Sequence, residues 1–469
     1  YDQALALFKK VSNLRGESKV LRGLGDLEYY LSHNDLSRQY YEKAFLLSKE
    51  IGERQTEGRS LLGLARLDLS QGHIGPARVN CNQSLLIFRE INYAWGKVGA
   101  LRTLGNIEDY NDHNGEAANS YKQSLSLSEK IGDKKEASFS LLGLGFLYSY
   151  QDSFEEAGLA LNKAFELAKE INDILGQTIV LRLLGHLKNK LENFKEAKVL
   201  YKSSLNLARQ VGDLLGEIKA FKALGNLERR LEEYKASILF LNNALSLARQ
   251  INNQNEEAKI WLCLGRTLKK QGNYNEARQA FYQSLHLFKQ LDDSWSEATV
   301  WGNIGNLERD FGHYPKAYTA YEKALDFFKY RENKLDESHV IMNLGILNQI
   351  TNRLDASIAN YSTALDYAKK VKNIRLQATI LLHLGDLEKK LGHLERTQFL
   401  YKQSFSLFKR DKRTKGQAQA YGRLAQLWHC RSPDLAQKYL TKAIASYEQI
   451  GLIKEQQALS TIIKGMSCR

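Results

Sequence analysis

Proline is nearly absent from this sequence, with three residues in a chain of 469. Proline disrupts helix interiors, so its scarcity favours long helices joined by short turns. The length excludes one ordinary globular core, because single cores stop growing at about 250–300 residues. We therefore expect either several domains or an array of repeats.

Cysteine is also rare. The four cysteines are scattered and show neither a CxxC pair nor another metal-ligand spacing: Cys81, Cys263, Cys430 and Cys468. This pattern argues against a disulfide-rich secreted scaffold. No stretch approaches the roughly 18 consecutive apolar residues that a membrane-spanning helix needs. The sequence therefore predicts a cytoplasmic protein with no membrane partner.

Acidic residues are outnumbered by basic ones. Lysine and arginine total 67 against 53 aspartates and glutamates, which gives a formal net charge of +14. This excess permits an acidic protein or a nucleic acid as partner and identifies neither. No HExxH, nucleophile elbow or P-loop motif is present. The sequence therefore predicts no enzyme activity, no cofactor and no metal site.

A short pattern recurs along the chain at a fixed step of 40 residues. Leu24-Gly25-Asp26-Leu27 returns as Leu64-Ala65-Arg66-Leu67 and as Leu104-Gly105-Asn106-Ile107. The small residue of the remaining copies, eleven in all, is Gly145, Gly185, Gly225, Gly265, Gly305, Gly345, Gly385 and Ala425. A period of this length and regularity indicates a repeat architecture.

Further columns of the repeat define a helical hairpin. Three residues before the small residue lies a bulky one, which gives an apolar i, i+3 stripe on a first helix. A second helix carries a column of large residues sixteen positions after the glycine: Tyr41, Cys81, Tyr121, Leu161, Tyr201, Leu241, Phe281, Tyr321, Tyr361 and Tyr401. Glycine within a helix costs about 1 kcal/mol relative to alanine, so its recurrence indicates that the second helix approaches closely.

Turn residues separate the two helices of each unit. The stretches 32–35 and 272–275 are polar, and all three prolines fall where proline is tolerated, at the start of a second helix: Pro76, Pro315 and Pro433. Second helices end at residues that accept the left-handed C-cap conformation: Gly52, Asn92, Gly132, Asn172, Gly212 and Asn252.

The order Trp/Leu–Leu–Gly–Leu, Ala, Tyr/Phe, Ala resembles the tetratricopeptide repeat in a 40-residue form, similar to the arrays of signalling adaptors and of signal-transduction NTPase sensors. The resemblance implies an all-α fold. It would be an α-solenoid, a right-handed superhelix of about eleven helix-turn-helix repeats, followed by a C-terminal capping helix. Such a resemblance indicates the fold and leaves the function open.

The two ends of the array differ. Tyr1 and Ala4 fall in the columns of Tyr41 and Ala44, so we expect residues 1–14 to be the second helix of a truncated repeat, with a further domain upstream. Residues 15–452 would hold the eleven repeats. Residues 453–469 would form the capping helix, with its apolar side chains turned inward: Leu459, Ile462, Ile463 and Met466.

Two columns of polar residues are candidates for catalytic groups. Five histidines share one turn position on different repeats, and we interpret them as turn residues: His33, His73, His113, His313 and His393. A glutamate column follows the glycine motif: Glu28, Glu108, Glu228, Glu308 and Glu388. Paired-carboxylate catalysis needs two such groups within about 5–9 Å, whereas these lie on separate repeats. Inter-repeat ion pairs or solvation are therefore the better interpretation.

In the resembled family, the first helices line a concave groove that holds the ligand. Transferred to this register, the outward positions become strongly basic from the fifth to the seventh copy. Arg182, Lys222 and Arg266 lie in mid-helix, where the helix dipole does not account for a cation. The predicted partner-binding residues are Arg102, Asn106, Arg182, His186, Lys219, Lys222, Asn226, Arg229, Lys259, Arg266 and Asn306.

Arg102 with Asn106, and Lys222 with Asn226, are basic and amide residues at i, i+4. They resemble the pairs with which some peptide-binding members of the family hold a carboxylate and a peptide backbone. Where the full clamp would place an amide on the next repeat, this chain has Cys263, which we expect on the groove side and open to solvent. Cys81 replaces a core aromatic, so a buried thiol is expected there.

The leading hypothesis is a non-catalytic scaffold that binds a protein or peptide, acidic or extended, in its groove. One alternative is a ligand-sensing array of a larger signal-transduction NTPase. Another is nucleic-acid binding through the basic middle repeats. RNA-reading modules stack bases on aromatic side chains, and the basic columns lack interleaved aromatics, so the nucleic-acid hypothesis ranks below the peptide hypothesis.

Overall fold

The computed structural model describes residues 1–31, 33–111 and 113–464, which form helices joined by short turns. The helices are α1 (Asp2–Lys10), α2 (Leu14–Tyr30), α3 (Asn34–Glu50), α4 (Arg54–Ser70), α5 (Ile74–Glu90), α6 (Ala94–Tyr110), α7 (Asn114–Lys130), α8 (Lys134–Tyr150), α9 (Phe154–Glu170), α10 (Ile174–Lys190), α11 (Phe194–Gln210), α12 (Leu214–Arg230), α13 (Tyr234–Gln250), α14 (Gln254–Gln271), α15 (Tyr274–Gln290), α16 (Ser294–Asp310), α17 (Tyr314–Tyr330), α18 (Lys334–Ile350), α19 (Leu354–Lys370), α20 (Ile374–Lys390), α21 (Leu394–Arg410), α22 (Thr414–Trp428), α23 (Pro433–Gln449) and α24 (Ile453–Lys464). None of them is both long enough and apolar enough to cross a membrane.

The chain divides into two compact units. Unit 1 comprises Tyr1–Leu187 and Ser203–Glu217, and unit 2 comprises Lys188–Lys202 and Ile218–Arg469. Within each unit, an even-numbered first helix packs most extensively against the odd-numbered second helix that follows it, as α4 does with α5 and α16 with α17. The second helix then contacts the next first helix. These successive pairs confirm the predicted all-helical solenoid of helix-turn-helix repeats.

The recurring glycine faces an aromatic ring of its own repeat. A Cβ atom placed on Gly305 would lie 2.5 Å from the ring of Tyr321, which is fully buried. Gly385 and Tyr401 are related in the same way, also at 2.5 Å. Glycine therefore stands in mid-helix because a side chain there would overlap the ring, which confirms the predicted close approach.

The small-residue column of the second helices holds the hairpin together with hydrogen bonds. The hydroxyl of Ser284 donates to the carbonyl oxygen of Ala258 at 2.8 Å, and Ser404 donates to Ala378 at 2.7 Å. A larger side chain would separate the helices, and a buried carbonyl that gains a donor satisfies its hydrogen-bonding capacity. Serine therefore alternates with alanine in this column without changing the packing.

The turns that follow the second helices take the left-handed conformation expected for a C-cap. The φ values are 50° at Asn92, 52° at Asn172 and 53° at Asn252, and glycines at the same column reach 67–72°. Later repeats place other residues in this conformation, including Glu332 at 53° and Lys372 at 55°. The six predicted C-cap positions are confirmed, and the conformation extends beyond glycine and asparagine.

The C-terminal helix α24 covers the described part of the predicted capping segment, Ile453–Lys464. Leu459 packs against Gly422, whose added Cβ would lie 3.1 Å away, and Ile463 is buried. Ile462, predicted to face inward, is 53% exposed, because it lies on the solvent side of the helix. Residues 465–469 of the predicted segment, with Met466, fall outside the described residues. The proposed bounds 1–14, 15–452 and 453–469 stay predictions.

Two glycines one turn apart in α16 allow the close-packing explanation to be tested. We predict that Gly305→Ala lowers the free energy of unfolding by about 1–3 kcal/mol, because overpacking a filled site is destabilising. Gly302→Ala should instead stabilise by up to about 1 kcal/mol, since an added Cβ there has no neighbour within 4 Å and alanine is the better helix former. Urea unfolding of both variants measures the difference. Equal effects of the same sign would contradict the explanation.

Candidate functional site

The first helices form the closely packed side of each unit. In unit 1, α2, α4, α6 and α8 contact one another in succession, and in unit 2 the series α14, α16, α18 and α20 does the same. The second helices of the described residues make no comparable contacts with one another. We call the exposed side of the first helices the inner row and that of the second helices the outer row.

In several repeats, the inner-row residue that follows the recurrent glycine accepts a hydrogen bond from a tyrosine. The tyrosine lies on the second helix of the same repeat, and its hydroxyl donates a hydrogen bond to the side-chain oxygen. The pairs are Tyr41 to Asp26 (2.8 Å), Tyr121 to Asn106 (2.7 Å), Tyr321 to Asn306 (2.8 Å) and Tyr401 to Asp386 (2.7 Å). Asn106 and Asn306 were predicted to bind a partner. In the structure, their amide oxygens already take part in the packing of their own repeats.

Predicted cations of the inner row form ion pairs with the next repeat. Arg102 Nε lies 2.9 Å from Glu136 Oε2, and Lys222 Nζ lies 2.5 Å from Glu256 Oε2. Lys259 Nζ is 3.8 Å from the other oxygen of Glu256. Burial alone would raise the pKa of Glu256, but the ammonium groups of Lys222 and Lys259 hold it below its usual value. Arg102 and Lys222 therefore stabilise the stacking of repeats.

One part of unit 2 departs from this arrangement. Asn226 follows Gly225 on α12, where the second helix supplies Leu241 instead of a tyrosine, so no hydroxyl bonds its amide. Asn226 Nδ2 instead lies 3.5 Å from Cys263 Sγ, and Arg229 Nη2 lies 3.5 Å from Asn226 Oδ1. The distance between Arg229 Nη2 and Asn226 Oδ1 is at the long limit for a hydrogen bond between nitrogen and oxygen.

The guanidinium of Arg229 is incompletely paired. Its Nε is buried and has no hydrogen-bond partner among the described residues. Burial lowers the pKa of Arg229, and the positive charge of Arg266 lowers it further. Arg266 itself donates from Nε to Asn303 Oδ1 at 2.9 Å. We call Asn226, Arg229, Cys263 and Arg266 the Arg229 cluster.

The predicted site residues are divided between the two units. Arg102, Asn106, Arg182 and His186 belong to unit 1, and Lys219, Lys222, Asn226, Arg229, Lys259, Arg266 and Asn306 belong to unit 2. Arg182, His186 and Lys219 are half-buried on α10 and α12. Among the predicted residues, only Asn226, Arg229 and Arg266 come together around an incompletely bonded guanidinium.

A second group on the inner row of unit 2 was absent from the predicted site. Arg423 Nε lies 2.9 and 3.0 Å from the two carboxylate oxygens of Asp386. His383 stacks on the ring of Tyr361, with centroids 6.2 Å apart and planes 8° from parallel. Burial lowers the pKa of His383 to about 4, although Asp386 opposes that shift. Extending the column of Asn106, Asn226 and Asn306 by two repeats leads to Asp386 in this group.

The histidine and glutamate columns meet in the structure. His Nδ1 lies beside the glutamate five residues earlier in four repeats: His33 and Glu28 (2.7 Å), His113 and Glu108 (2.9 Å), His313 and Glu308 (2.8 Å), His393 and Glu388 (2.7 Å). Arg278 of the preceding repeat also bonds Glu308, at 2.7 and 2.9 Å. Burial would raise the pKa of Glu308, but Arg278 and His313 lower it. Inter-repeat ion pairs are confirmed for Glu108, Glu228 and Glu308, whereas the turn histidines bond glutamates of their own repeats.

The cysteines follow the sequence-based expectations only in part. Cys81 is fully buried as predicted, and burial raises the pKa of its thiol to about 12. Cys263, expected to be open to solvent, is 7% exposed, because neighbouring repeats cover it.

The family model described as tetratricopeptide repeat matches residues 177–250 and 256–329. No curated protein is similar in sequence. The solved structure of a Rap protein complexed with competence and sporulation factor has 13% identity and a TM-score of 0.55, and the match covers 78% of this chain and 99% of that one.

Two further solved structures have similar helical arrays. The Rap conjugation gene regulator of plasmid pLS20, in complex with the Phr* peptide, has 14% identity and a TM-score of 0.50, over 73% of this chain and 97% of that one. A signal transduction ATPase with a tetratricopeptide repeat sensor, from Pyrococcus horikoshii, has 14% identity and a TM-score of 0.48, over 77% and 54%.

The class is therefore that of helical-repeat solenoids. Within that class, the matched family model identifies residues 177–250 and 256–329 as tetratricopeptide repeats, and the glycine–aromatic contact recurs in hairpins on both sides of them.

The lowered pKa of His383 makes the stability of unit 2 depend on pH. Its pKa is about 4 in the fold and about 6.5 when unfolded, so unfolding binds a proton throughout this range. Stability from this residue is therefore complete above about pH 6.5 and falls as the pH drops toward 4. We predict that His383→Gln flattens the pH dependence of the urea midpoint between pH 4.5 and 7. An unchanged slope in the variant would contradict this assignment.

Proposed function

We propose that this protein is a non-catalytic interaction module that binds an acidic, extended segment of a partner protein along the inner row of unit 2. The Arg229 cluster is the observation that carries the proposal. A buried donor without a partner costs about 1–3 kcal/mol, and more when it is charged. A carboxylate bound at Arg229 Nε would satisfy this donor at the place where the free protein leaves it unbonded.

The chemistry of the cluster fits an acidic peptide. Arginine presents a planar set of donors that matches a carboxylate. The Asn226 amide offers both a donor and an acceptor to an extended backbone, and no tyrosine of its own repeat occupies it. Arg266 adds a second positive charge next to Arg229. Together these groups supply charge recognition and backbone recognition within one short stretch of the inner row.

The structural comparisons support the scaffold more than the site. A Rap regulator of similar fold is described in complex with the Phr* peptide, which supports the use of such an array to hold a peptide. The position and acidity of the ligand proposed here depend on the Arg229 cluster. The sensor array of a larger NTPase, an upstream domain and the cytoplasmic location stay predictions from the sequence.

The proposal is tested with two fluorescein-labelled peptides of twelve residues, one alternating Glu and Ser and the other alternating Gln and Ser. We predict that the wild-type protein binds the glutamate peptide at least about tenfold more tightly, a difference of roughly 1.4 kcal/mol. Arg229→Gln with Arg266→Gln should abolish this preference, because it removes the two charges of the cluster. Fluorescence anisotropy measures the dissociation constants.

The matched control removes two arginines from the outer row. Arg249→Gln with Arg396→Gln changes the net charge equally, and both arginine side chains are more than half exposed. Arg249 pairs with Glu257, and Arg396 pairs with the buried Glu388. This control should retain the preference for the glutamate peptide. Equal losses in both double variants would show non-specific charge attraction and refute the site. Tighter binding of a labelled twelve-nucleotide uridine RNA, with a steep salt dependence, would favour the nucleic-acid hypothesis instead.

A further inference from the structure

Unit 2 contains contacts between residues more than 220 positions apart. Solenoid repeats normally contact only their immediate neighbours. Here the starts of α22 and α24 contact the turns that follow α10 and α12, at residues 190–192 and 232–233. All these residues belong to unit 2. Within this unit, the last repeats therefore contact residues that lie five repeats earlier in the chain.

The first of these contacts joins α22 to the turn after α10. The guanidinium of Arg413 donates to the carbonyl oxygen of Lys190, and the carboxylate of Glu192 accepts from the backbone N–H of Lys415 at 2.9 Å. Glu192 lies in the left-handed region with φ of 62° and is buried. Its carboxylate therefore caps the first turn of a helix that lies 223 residues further along the chain.

The second contact repeats this arrangement one hairpin later. Lys454, near the start of α24, donates from Nζ to the carbonyl oxygen of Glu232 at 3.1 Å and to Glu233 Oε1 at 2.8 Å. Both side chains of the Lys454–Glu233 pair remain about half exposed. Lys415 also bonds Glu455 at 2.6 Å, which connects the two contacts through the adjoining helix starts.

The side chains that form these contacts are charged. Burial raises the pKa of Glu192, which means that burial destabilises the charged form of this carboxylate. Arg413 is buried as well, and its Nε donates to Asp411 Oδ2 at 3.1 Å. A cleft of about 540 Å³ lies alongside, lined in part by Asn193, Phe194, Lys198, Thr414 and Ile450. Permanent interfaces are, by contrast, extensive and apolar.

We propose that the starts of α22 and α24 form a reversible latch with the turns after α10 and α12, which opens and closes the inner row of unit 2. The latch is defined by Lys190, Glu192, Glu232 and Glu233 on one side and by Arg413, Lys415 and Lys454 on the other. Closing it fixes the separation of repeats five hairpins apart, and releasing it lets the intervening hairpins spread. The latch stands independently of the peptide-binding proposal, because it concerns only contacts within the chain.

The backbone amide of Lys415 is a direct reporter of the closed latch. It lies in the first turn of α22, where N–H groups have no acceptor within the helix, and Glu192 supplies its hydrogen bond. Lys135 occupies the same position at the start of α8 and is exposed. Hydrogen exchange with residue-level fragmentation compares the two amides within one sample of the full chain.

We expect the Lys415 amide to exchange about 10- to 100-fold more slowly than the Lys135 amide, and faster than mid-helix amides such as that of Leu424. Lys454→Glu should remove most of this protection, although the substitution lies on another helix, because it breaks the second contact. Glu233→Lys combined with Lys454→Glu should restore it by reversing the pair. Lys135→Glu is the matched control and should leave the exchange of Lys415 unchanged.

Three outcomes would overturn the latch. Exchange of Lys415 as fast as that of Lys135 would show that the contact does not form in solution. Protection as strong as that of Leu424 would show permanent packing. Unchanged protection of Lys415 in Lys454→Glu would show that the two contacts open independently. None of these outcomes bears on peptide binding at the Arg229 cluster, so the two proposals fail separately.

Discussion

The contact between a mid-helix glycine and the large side chain of the facing helix is the constraint on which this structure depends. It sets how closely the two helices of a hairpin approach, and the aromatic or leucine side chain then fills the space that the missing Cβ leaves. Repeating this contact every 40 residues gives each hairpin the same geometry. Regular stacking follows, because each pair of helices buries its apolar side only against its neighbours.

This regularity separates residues that maintain the array from residues that are available to a partner. Tyrosine hydroxyls bond Asn106 and Asn306, and acidic residues of the next repeat bond Arg102 and Lys222. Where the second helix supplies leucine instead of tyrosine, Asn226 loses that partner. The Arg229 cluster therefore arises from a substitution in the core column, which changes what the inner-row residue of the same repeat can do.

The fold could be predicted from the sequence because its determinants are local and repeated. Glycine, aromatic and C-cap columns recur at one spacing, and the structure places Gly305 against Tyr321 and Asn92 in the left-handed region, as the columns required. The columns did not predict which of the site residues are already paired within the array. Whether Lys222 faces solvent or Glu256 depends on how two repeats stack, and a single-repeat pattern does not contain that information.

Contacts between residues that are distant in sequence could not be predicted at all. Glu192 and Lys454 occupy ordinary turn and helix-start positions, and their roles emerge only when repeats five hairpins apart meet within unit 2. His383 likewise gains its environment from Tyr361 of one repeat and Arg423 of another. The residue columns determine the structure of each hairpin. The stacking of many hairpins determines which residues of distant repeats come into contact.

A crystal structure of the full chain grown with the alternating Glu-Ser peptide is the most direct test of the Arg229 cluster as a binding site. We expect the peptide to lie along the inner row of unit 2, with a carboxylate oxygen at hydrogen-bond distance, roughly 2.7–3.2 Å, from Arg229 Nε. A peptide bound on the outer row, or an Arg229 Nε that is already bonded by the protein, would contradict this expectation.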